Sequence, residues 1–392
     1  MIVKLLAIAQ PERWVPMFPY VGAHGKAHHL PLLGRATTDP TMRRGQIQVE
    51  ANDLIRHRLD RLFPNDPWGM GQFLYWLDAY RPEVTDDVDV LASLADDLLV
   101  ERHDLQELAD LLEDKGQIIL YGPPGTGKTY LARRLATALA GDPARSVIVQ
   151  FHPSMSYEDF FEGYRPSPTV TGRLTYELRP GPLALLAAQA DAAPGVTHVL
   201  VIDEINRANL PKVFGELLFL LEYRDEEART TYRPDAPFSL PPNLWIIGTM
   251  NTADRSIALV DAALRRRFHF VSFFPEEGMV GGLLRRWLGR HQADALWIAE
   301  VVTMVNGWLT DDLGGAHLQI GPSYFMKQGI DAVRLARIWR YDIMPFIEDQ
   351  LFGEPAKIDR YQLEAVLSAY RSEQHDLTVG SADDGVEAEF DG

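Results

Sequence analysis

Gly122-Pro123-Pro124-Gly125-Thr126-Gly127-Lys128-Thr129 is the stretch on which the fold turns. It fits the phosphate-loop pattern at every fixed position. Before it, Gln117-Ile118-Ile119-Leu120-Tyr121 is a short apolar run bounded by Gly116 and Gly122, which predicts a buried parallel strand. After it, Thr129 to Ala140 predicts a helix ended by Gly141. A triphosphate is a dense negative charge. Successive backbone N–H groups of a glycine-rich turn form a concave anion site, and the following helix adds its dipole. Gly122, Gly125 and Gly127 admit the phosphates without Cβ clashes, and Pro123, Pro124 and Thr126 complete the loop. Lys128 supplies a cation for the β- and γ-phosphates, and the Thr129 hydroxyl is a ligand for Mg²⁺.

Two further pieces follow in order. His198-Val199-Leu200-Val201-Ile202 predicts a strand that ends in Asp203-Glu204. Parallel sheets present ligand-facing residues at the carboxyl ends of their strands. Asp203 there is a candidate to hold the metal through its water shell, and Glu204 to polarise the attacking water as general base. Leu244 to Met250 predicts another strand ending at Asn251, whose amide can hydrogen-bond the γ-phosphate or the lytic water. A helical stretch, Ile257 to Leu264, then leads to Arg265-Arg266-Arg267-Phe268. Three arginines at a helix end read either as a solvated basic turn or as an arginine finger serving the γ-phosphate of an adjacent subunit. In the second reading Phe268 anchors the turn, Arg266 or Arg267 reaches across, and Arg265 is a structural partner.

Several segments carry a family resemblance: Asp203-Glu204-Ile205-Asn206-Arg207-Ala208-Asn209 with Phe214-Gly215-Glu216-Leu217; Gly248 to Ser256, with Asn251-Thr252-Ala253-Asp254-Arg255-Ser256 inside it, and Ala263 to Phe268; and Phe151 to Phe160 with Glu162-Gly163-Tyr164-Arg165-Pro166. Together they resemble the AAA+ superfamily and, within it, the McrB-like branch, over about 105 to 352. The resemblance implies an α/β P-loop NTPase domain with a parallel sheet and a C-terminal helical lid, after a small mixed N-terminal region. It implies binding and hydrolysis of ATP or GTP with Mg²⁺ held at Thr129 and Asp203, in a homo-oligomeric ring, typically a hexamer. The implied role is to drive an McrC-like nuclease subunit in DNA restriction. DNA would be reached through that partner or an upstream domain, because no base-recognition domain is evident. A MoxR-like or midasin-like protein-remodelling ATPase and a nucleotide-dependent scaffold are the alternatives. MoxR-type proteins share the Glu-Ile-Asn-Arg piece but lack the Asn-Thr-Ala-Asp-Arg-Ser run and the triple arginine, and Glu204 argues against a mere scaffold.

Composition sets the outer bounds. The formal net charge is −17, unfavourable for non-specific DNA binding over the whole surface. Positions 1 to 58 run the other way, with eight Lys/Arg against four Asp/Glu, but their histidines lack metal-site spacing. No apolar stretch approaches membrane-spanning length, and cysteine is absent, so disulfides and cysteine-held zinc are excluded. A cytoplasmic protein is expected. The expected domains are 1–90, of unknown role with a small helical core around Phe73 to Leu77; 91–274, the nucleotide domain with a single lead-in helix over 91–115; 275–371, the lid; and 372–392, an acidic disordered tail. Phe151 to Pro166 either seats a short helix on the sheet or lies near the nucleotide or a subunit seam, and Arg229 to Pro242 reads as a loop or hairpin. Base selectivity is expected around 105–117 and the lid, and Arg337 and Arg340 are candidates for the second sensor arginine usual in this family.

Overall fold

The computed structural model describes residues 44–60, 62–79, 89–168, 174–253 and 262–383. The chain divides into two units, Met1–Val88 and Asp89–Gly392. In the first, helices α1 (Arg44–Leu59) and α2 (Pro67–Ala79) bury Ala51, Ile55 and Leu59 with Met70 and Leu74. Phe73 packs against this core, and the side chains of Tyr75 to Leu77 lie outside the described residues. The early prolines lie outside the described residues.

In the second unit the lead-in segment is two helices, α3 (Val90–Leu98) and α4 (Arg102–Lys115), where one was expected. The break is at Leu99, which takes the left-handed conformation at φ 58°. There the chain closes α3 with a Schellman-type pair, Leu99 N–H to Asp96 O and Val100 N–H to Ala95 O. Helix periodicity continues on both sides of the break, so the leucine pattern alone did not mark it.

The sheet is parallel throughout, in the order β2 (Ser146–Gln150), β5 (His198–Asp203), β8 (Leu244–Asn251), β1 (Gln117–Gly122), β9 (His269–Ser272). Its central strands read as continuous apolar runs because both faces are covered. Ile118, Leu120, Val199, Val201 and Ile247 face Leu105, Leu108 and Leu112 of α4 and Leu131 and Leu135 of α5 (Lys128–Ala140). Ile119, Leu200, Ile202 and Ile246 face the other core, with α7 (Pro182–Ala192), α8 (Leu210–Phe214) and α9 (Leu217–Glu222). In that core Phe151, Phe160 and Phe214 interlock, the Phe151 and Phe160 rings meeting edge to face at 5.2 Å. The segment forms a short helix, α6 (Tyr157–Phe160), closed by a Ser156–Asp159 capping box, and it starts beside the nucleotide strands, Phe151 N–H donating to Asp203 O at 2.8 Å. A hairpin of β3 (Glu162–Pro168) and β4 (Leu174–Pro180) follows it. The proline-rich tract is likewise a hairpin, β6 (Ala228–Thr230) with β7 (Arg233–Phe238). The Asp254 to Asp261 segment lies outside the described residues, and the helix before the arginines is described only as α10 (Ala262–Arg265).

The lid begins at α11 (Leu283–His291), which Arg286 ties back to the α3–α4 junction through Leu99 O at 2.7 Å. Its core is built on α12 (Trp297–Leu313), α13 (Ala332–Ile338) and α14 (Met344–Gln350). A π turn, Trp339–Ile343, joins the last two without a gap. Pro345 has no N–H to return to Tyr341, and a widened turn accommodates that loss. After α15 (Pro355–Ile358), the chain ends its described part in α16 (Leu363–Asp383), so the expected disordered tail from 372 is helical as far as Asp383. Val366 is fully buried, Leu363, Leu367 and Tyr370 pack on the lid, and the Tyr370 hydroxyl donates to Glu300 at 2.6 Å. Those contacts carry the helix into the acidic sequence.

Candidate functional site

Strand register brings the sequence motifs together. Gly122 at the end of β1 pairs with Asn251 at the end of β8, and β5 beside β8 ends in Asp203. The loop between β1 and α5 turns through left-handed Gly125 (φ 79°) and Gly127 (φ 89°), a conformation that a Cβ would strain. That turn directs successive N–H groups and the α5 N-terminus into one concavity. Lys128 is 5% exposed, and its ammonium donates to Gly122 O at 3.0 Å and Pro123 O at 2.7 Å. Burial lowers its pKa to about 8, opposed by the charges of Glu204 and Asp203. A cation held partly desolvated beside two carboxylates is poised to gain from a phosphate.

Asp203 accepts two hydroxyl donors on one oxygen, Thr129 and Thr249, each at 2.6 Å. Thr249 in turn accepts the Glu204 N–H at 3.2 Å. Glu204 is in the left-handed region (φ 56°), a strained conformation for a side-chain-bearing residue at the tip of a strand. Its carboxylate receives the Asn251 amide and lies 3.4 Å from Arg207 Nε. Asn206 holds the Asn251 carbonyl at 3.2 Å. The proposed base and the proposed sensor amide are therefore one hydrogen-bonded unit, in which Asn251 bonds Glu204. Mg²⁺ prefers one or two protein oxygens with substrate phosphates and water. Thr129 and Asp203 suit that role. Among the described residues no group of three or more His, Asp or Glu is arranged to cage a metal.

The lid meets this site through a turn. Ser323 N–H donates to Gly125 O at 3.0 Å, and a Cβ on Gly321 would come within 2.2 Å of the Gly125 carbonyl carbon, so only glycine fits. Buried Asn306 fixes the turn by bonding both the N–H and the C=O of Ile320, and Glu276 accepts from the Asn306 amide at 2.9 Å. Thr252, next to Asn251, donates to His317 O at 3.0 Å. Arg337 is exposed and Arg340 stacks on Tyr341, so the described lid contacts with the phosphate loop come from 321–324 instead. Beside the loop opens a cavity of about 340 Å³, lined by Leu99, Val100, Gly127, Phe273, Trp287 and Ser323 among others. Its near wall is the α3–α4 junction and not 105–117, because the left-handed turn at Leu99 brings that junction to the loop.

The arginine run sits elsewhere. Gln117, at the opposite end of β1 from Gly122, donates to Arg267 O and Leu221 O, both at 2.6 Å. Arg265 lies over the Phe270 ring at 5.6 Å, while Arg266 and Arg267 share Glu222, at 3.1 and 2.7 Å. Phe268 is buried, as its anchoring role requires. Sequence reasoning gave no role to Thr249, Arg207 or the Gly321–Ser323 turn. A threonine within the apolar β8 was a legible signal. The approach of Gly321 to the loop was not, since it joins segments nearly two hundred residues apart.

Residues 117–268 match the AAA domain family of the dynein-related subfamily, and residues 298–359 match the McrB alpha-helical lid domain. With the phosphate loop, the strand-tip acids and the helical lid in place, the chain belongs to the AAA+ P-loop nucleoside triphosphatases, which are hydrolases. The "Type IV methyl-directed restriction enzyme EcoKMcrB subunit" of Escherichia coli (strain K12) is 38% identical over 290 residues, 69% of this chain and 61% of that one. Within the superfamily this is an McrB-like AAA+ protein. The "Type II restriction enzyme BsuMI component YdiS" of Bacillus subtilis is 30% identical over 189 residues, 39% of this chain and 55% of that one. "Protein sickie" of Drosophila melanogaster is 28% identical over 289 residues, 67% of this chain but 12% of its own length. The chain thus spans about three fifths or less of these relatives.

Proposed function

We propose that this protein is a ring-forming ATPase or GTPase of the cytoplasm that drives an McrC-like nuclease subunit in DNA restriction, reaching DNA through that partner or an upstream domain. One observation carries the ring. The nucleotide machinery gathers at the carboxyl end of β1, and the arginine run is bonded to the amino end through Gln117. Five residue steps of a strand separate the two ends by about 16 Å. The arginines are thus remote from their own chain's phosphate loop and suited to a neighbour's. The names of the two restriction-system relatives and the McrB lid match support the nuclease partner over a remodelling role.

In this reading Lys128 and the loop N–H groups bind the β- and γ-phosphates, and Thr129 and Asp203 hold Mg²⁺, which neutralises phosphate charge when bound. Glu204, aligned by Asn251, takes the proton of the attacking water. An arginine from the adjacent chain meets the charge that develops on the γ-phosphoryl oxygens.

The test is complementation. Arg266→Ala with Arg267→Ala in one chain, and Glu204→Gln in another, are each inactive alone. Mixed rings contain seams that pair an intact Glu204 with an intact neighbouring arginine, so hydrolysis partly returns. No recovery in rings shown to be mixed sinks the trans assignment. For the partner, co-expression with an McrC-like nuclease is expected to restrict modified plasmid DNA, with loss on Glu204→Gln; restriction that persists in that variant removes the motor role.

A further inference from the structure

We propose that Glu222 divides the labour within the arginine run: by neutralising Arg267 it leaves Arg266 able to reach the neighbouring subunit, which makes Glu222 a positioning residue for hydrolysis. This rests on the trans reading above and deepens it. Glu222 ends α9, and its side chain is 20% exposed. One of its oxygens, Oε2, serves both guanidiniums, but the two differ in surroundings. Arg267 is 12% exposed and 2.7 Å away; Arg266 is 65% exposed and 3.1 Å away.

The turn's backbone is pinned independently of those charges. Lys115 donates to Arg266 O at 3.1 Å, Gln117 donates to Arg267 O, and Phe268 is buried. Arg224, which bonds Gln117, Gly116 O and Leu244 O, locks the same end of the sheet. The Arg266 side chain can therefore change partners while its backbone stays in place.

Charge then decides which arginine moves. One carboxylate facing two guanidiniums leaves a net charge of about +1. The exposed Arg266–Glu222 pair is screened by water and weak. A triphosphate across a seam, with more charge and less water, outcompetes it. The sheltered Arg267–Glu222 pair is not exchanged so readily, because departure of Arg267 leaves Glu222 only its longer, water-screened contact with Arg266. The same logic gives a counterintuitive consequence. Without Arg267, Glu222 turns to Arg266, its remaining guanidinium neighbour, and holds it in its own chain.

The experiment is a suppressor test on the full chain, with saturating nucleotide, reading turnover per assembled ring and thermal melting together. Arg266→Ala is expected to lose on the order of 10³-fold in turnover with little change in melting. Arg267→Ala also slows, through capture of Arg266. Glu222→Gln combined with Arg267→Ala recovers a large part of that loss, because the carboxylate that holds Arg266 is gone. Glu222→Gln combined with Arg266→Ala recovers nothing. A purely structural role for Glu222 does not give this asymmetry. Should Arg267→Ala fail to fold, Arg267→Lys decides: lysine still neutralises Glu222, so turnover stays within about tenfold of wild type, whereas Arg266→Lys, which loses the forked donor, falls further.

If the Glu222→Gln, Arg267→Ala chain stays as slow as Arg267→Ala while Arg266→Ala keeps its turnover, Arg267 is the reaching residue and the proposal is overturned. Failure of the underlying trans reading looks different: the Arg266→Ala, Arg267→Ala chain is inactive, and mixing it with Glu204→Gln chains restores nothing.

Discussion

The two ends of β1 are built on opposite plans. At the carboxyl end, Asp203, Glu204 and Asn251 hydrogen-bond one another directly or through Thr249, and the Lys128 ammonium, bonded to Gly122 O and Pro123 O, feels the charges of both acids. At the amino end, the arginine turn is equally well braced, by Lys115, Gln117 and Glu222. In the function proposed above, the first region binds nucleotide within one chain and the second is a braced mount for a charge that serves the adjacent chain. Binding would then be a property of the subunit and catalysis a property of the seam.

The sharpest way to break that contrast is to remove the base. Glu204→Gln is expected to slow hydrolysis by about 10²–10⁴-fold while nucleotide binding, read by calorimetry, persists. Wild-type turnover would show that another group activates the water. Lys128→Ala acts on the other property, weakening nucleotide affinity on the order of 10²-fold by removing charge-assisted hydrogen bonds. Unchanged affinity in the same titration defeats the loop assignment.

Dilution separates the two plans without mutation. Turnover per chain should fall as rings dissociate, tracked by light scattering at micromolar protein and below, while the nucleotide affinity of each chain changes little. A monomer that hydrolyses at the full rate contradicts the seam.

The pH dependence is smaller and its sign is fixed. Lys128 must be protonated to pair with phosphate, and burial has lowered its pKa to about 8. Affinity should therefore weaken as pH rises through 8, by about tenfold between pH 7 and pH 9, with proton uptake on binding above pH 8. A flat profile over that range removes the desolvated lysine from the account. Smallest of all, Ser156→Ala takes away the cap of α6 and should cost about 1 kcal/mol in denaturant unfolding. Ser156 bonds Asp159 of its own turn, so nucleotide affinity should hold; a matching loss of affinity would tie α6 to the site.

Much of this was legible before any tertiary information. The phosphate-loop octet, the apolar strands ending in Asp203 and Asn251, and the helix closed by Gly141 are local signals with a local cause. A loop that binds phosphate needs those residues at that spacing, and a strand buried on both faces must be apolar. The helical lid was legible through the family resemblance. The break at Leu99 was not, because a Schellman closure is made by backbone groups and interrupts no hydrophobic pattern. The helical run to Asp383 was missed for a related reason: acidic composition argues for disorder, but packing of Val366 and Tyr370 on the lid outweighs it.

The sequence by itself determined that this chain is a P-loop nucleoside triphosphatase of the AAA+ kind, with named candidates for its loop, metal and base. Chemistry at a site is written in residue types and short spacings. Only the tertiary structure decided that Asn251 and Glu204 are one unit, that the lid touches the loop through Gly321 and Ser323, and that Arg266 and Arg267 share a single carboxylate at the end of β1 opposite the phosphate loop. Those facts depend on register and on contacts between segments far apart in the chain. Such contacts are set by how the sheet and lid pack as a whole, and no short stretch of sequence contains them.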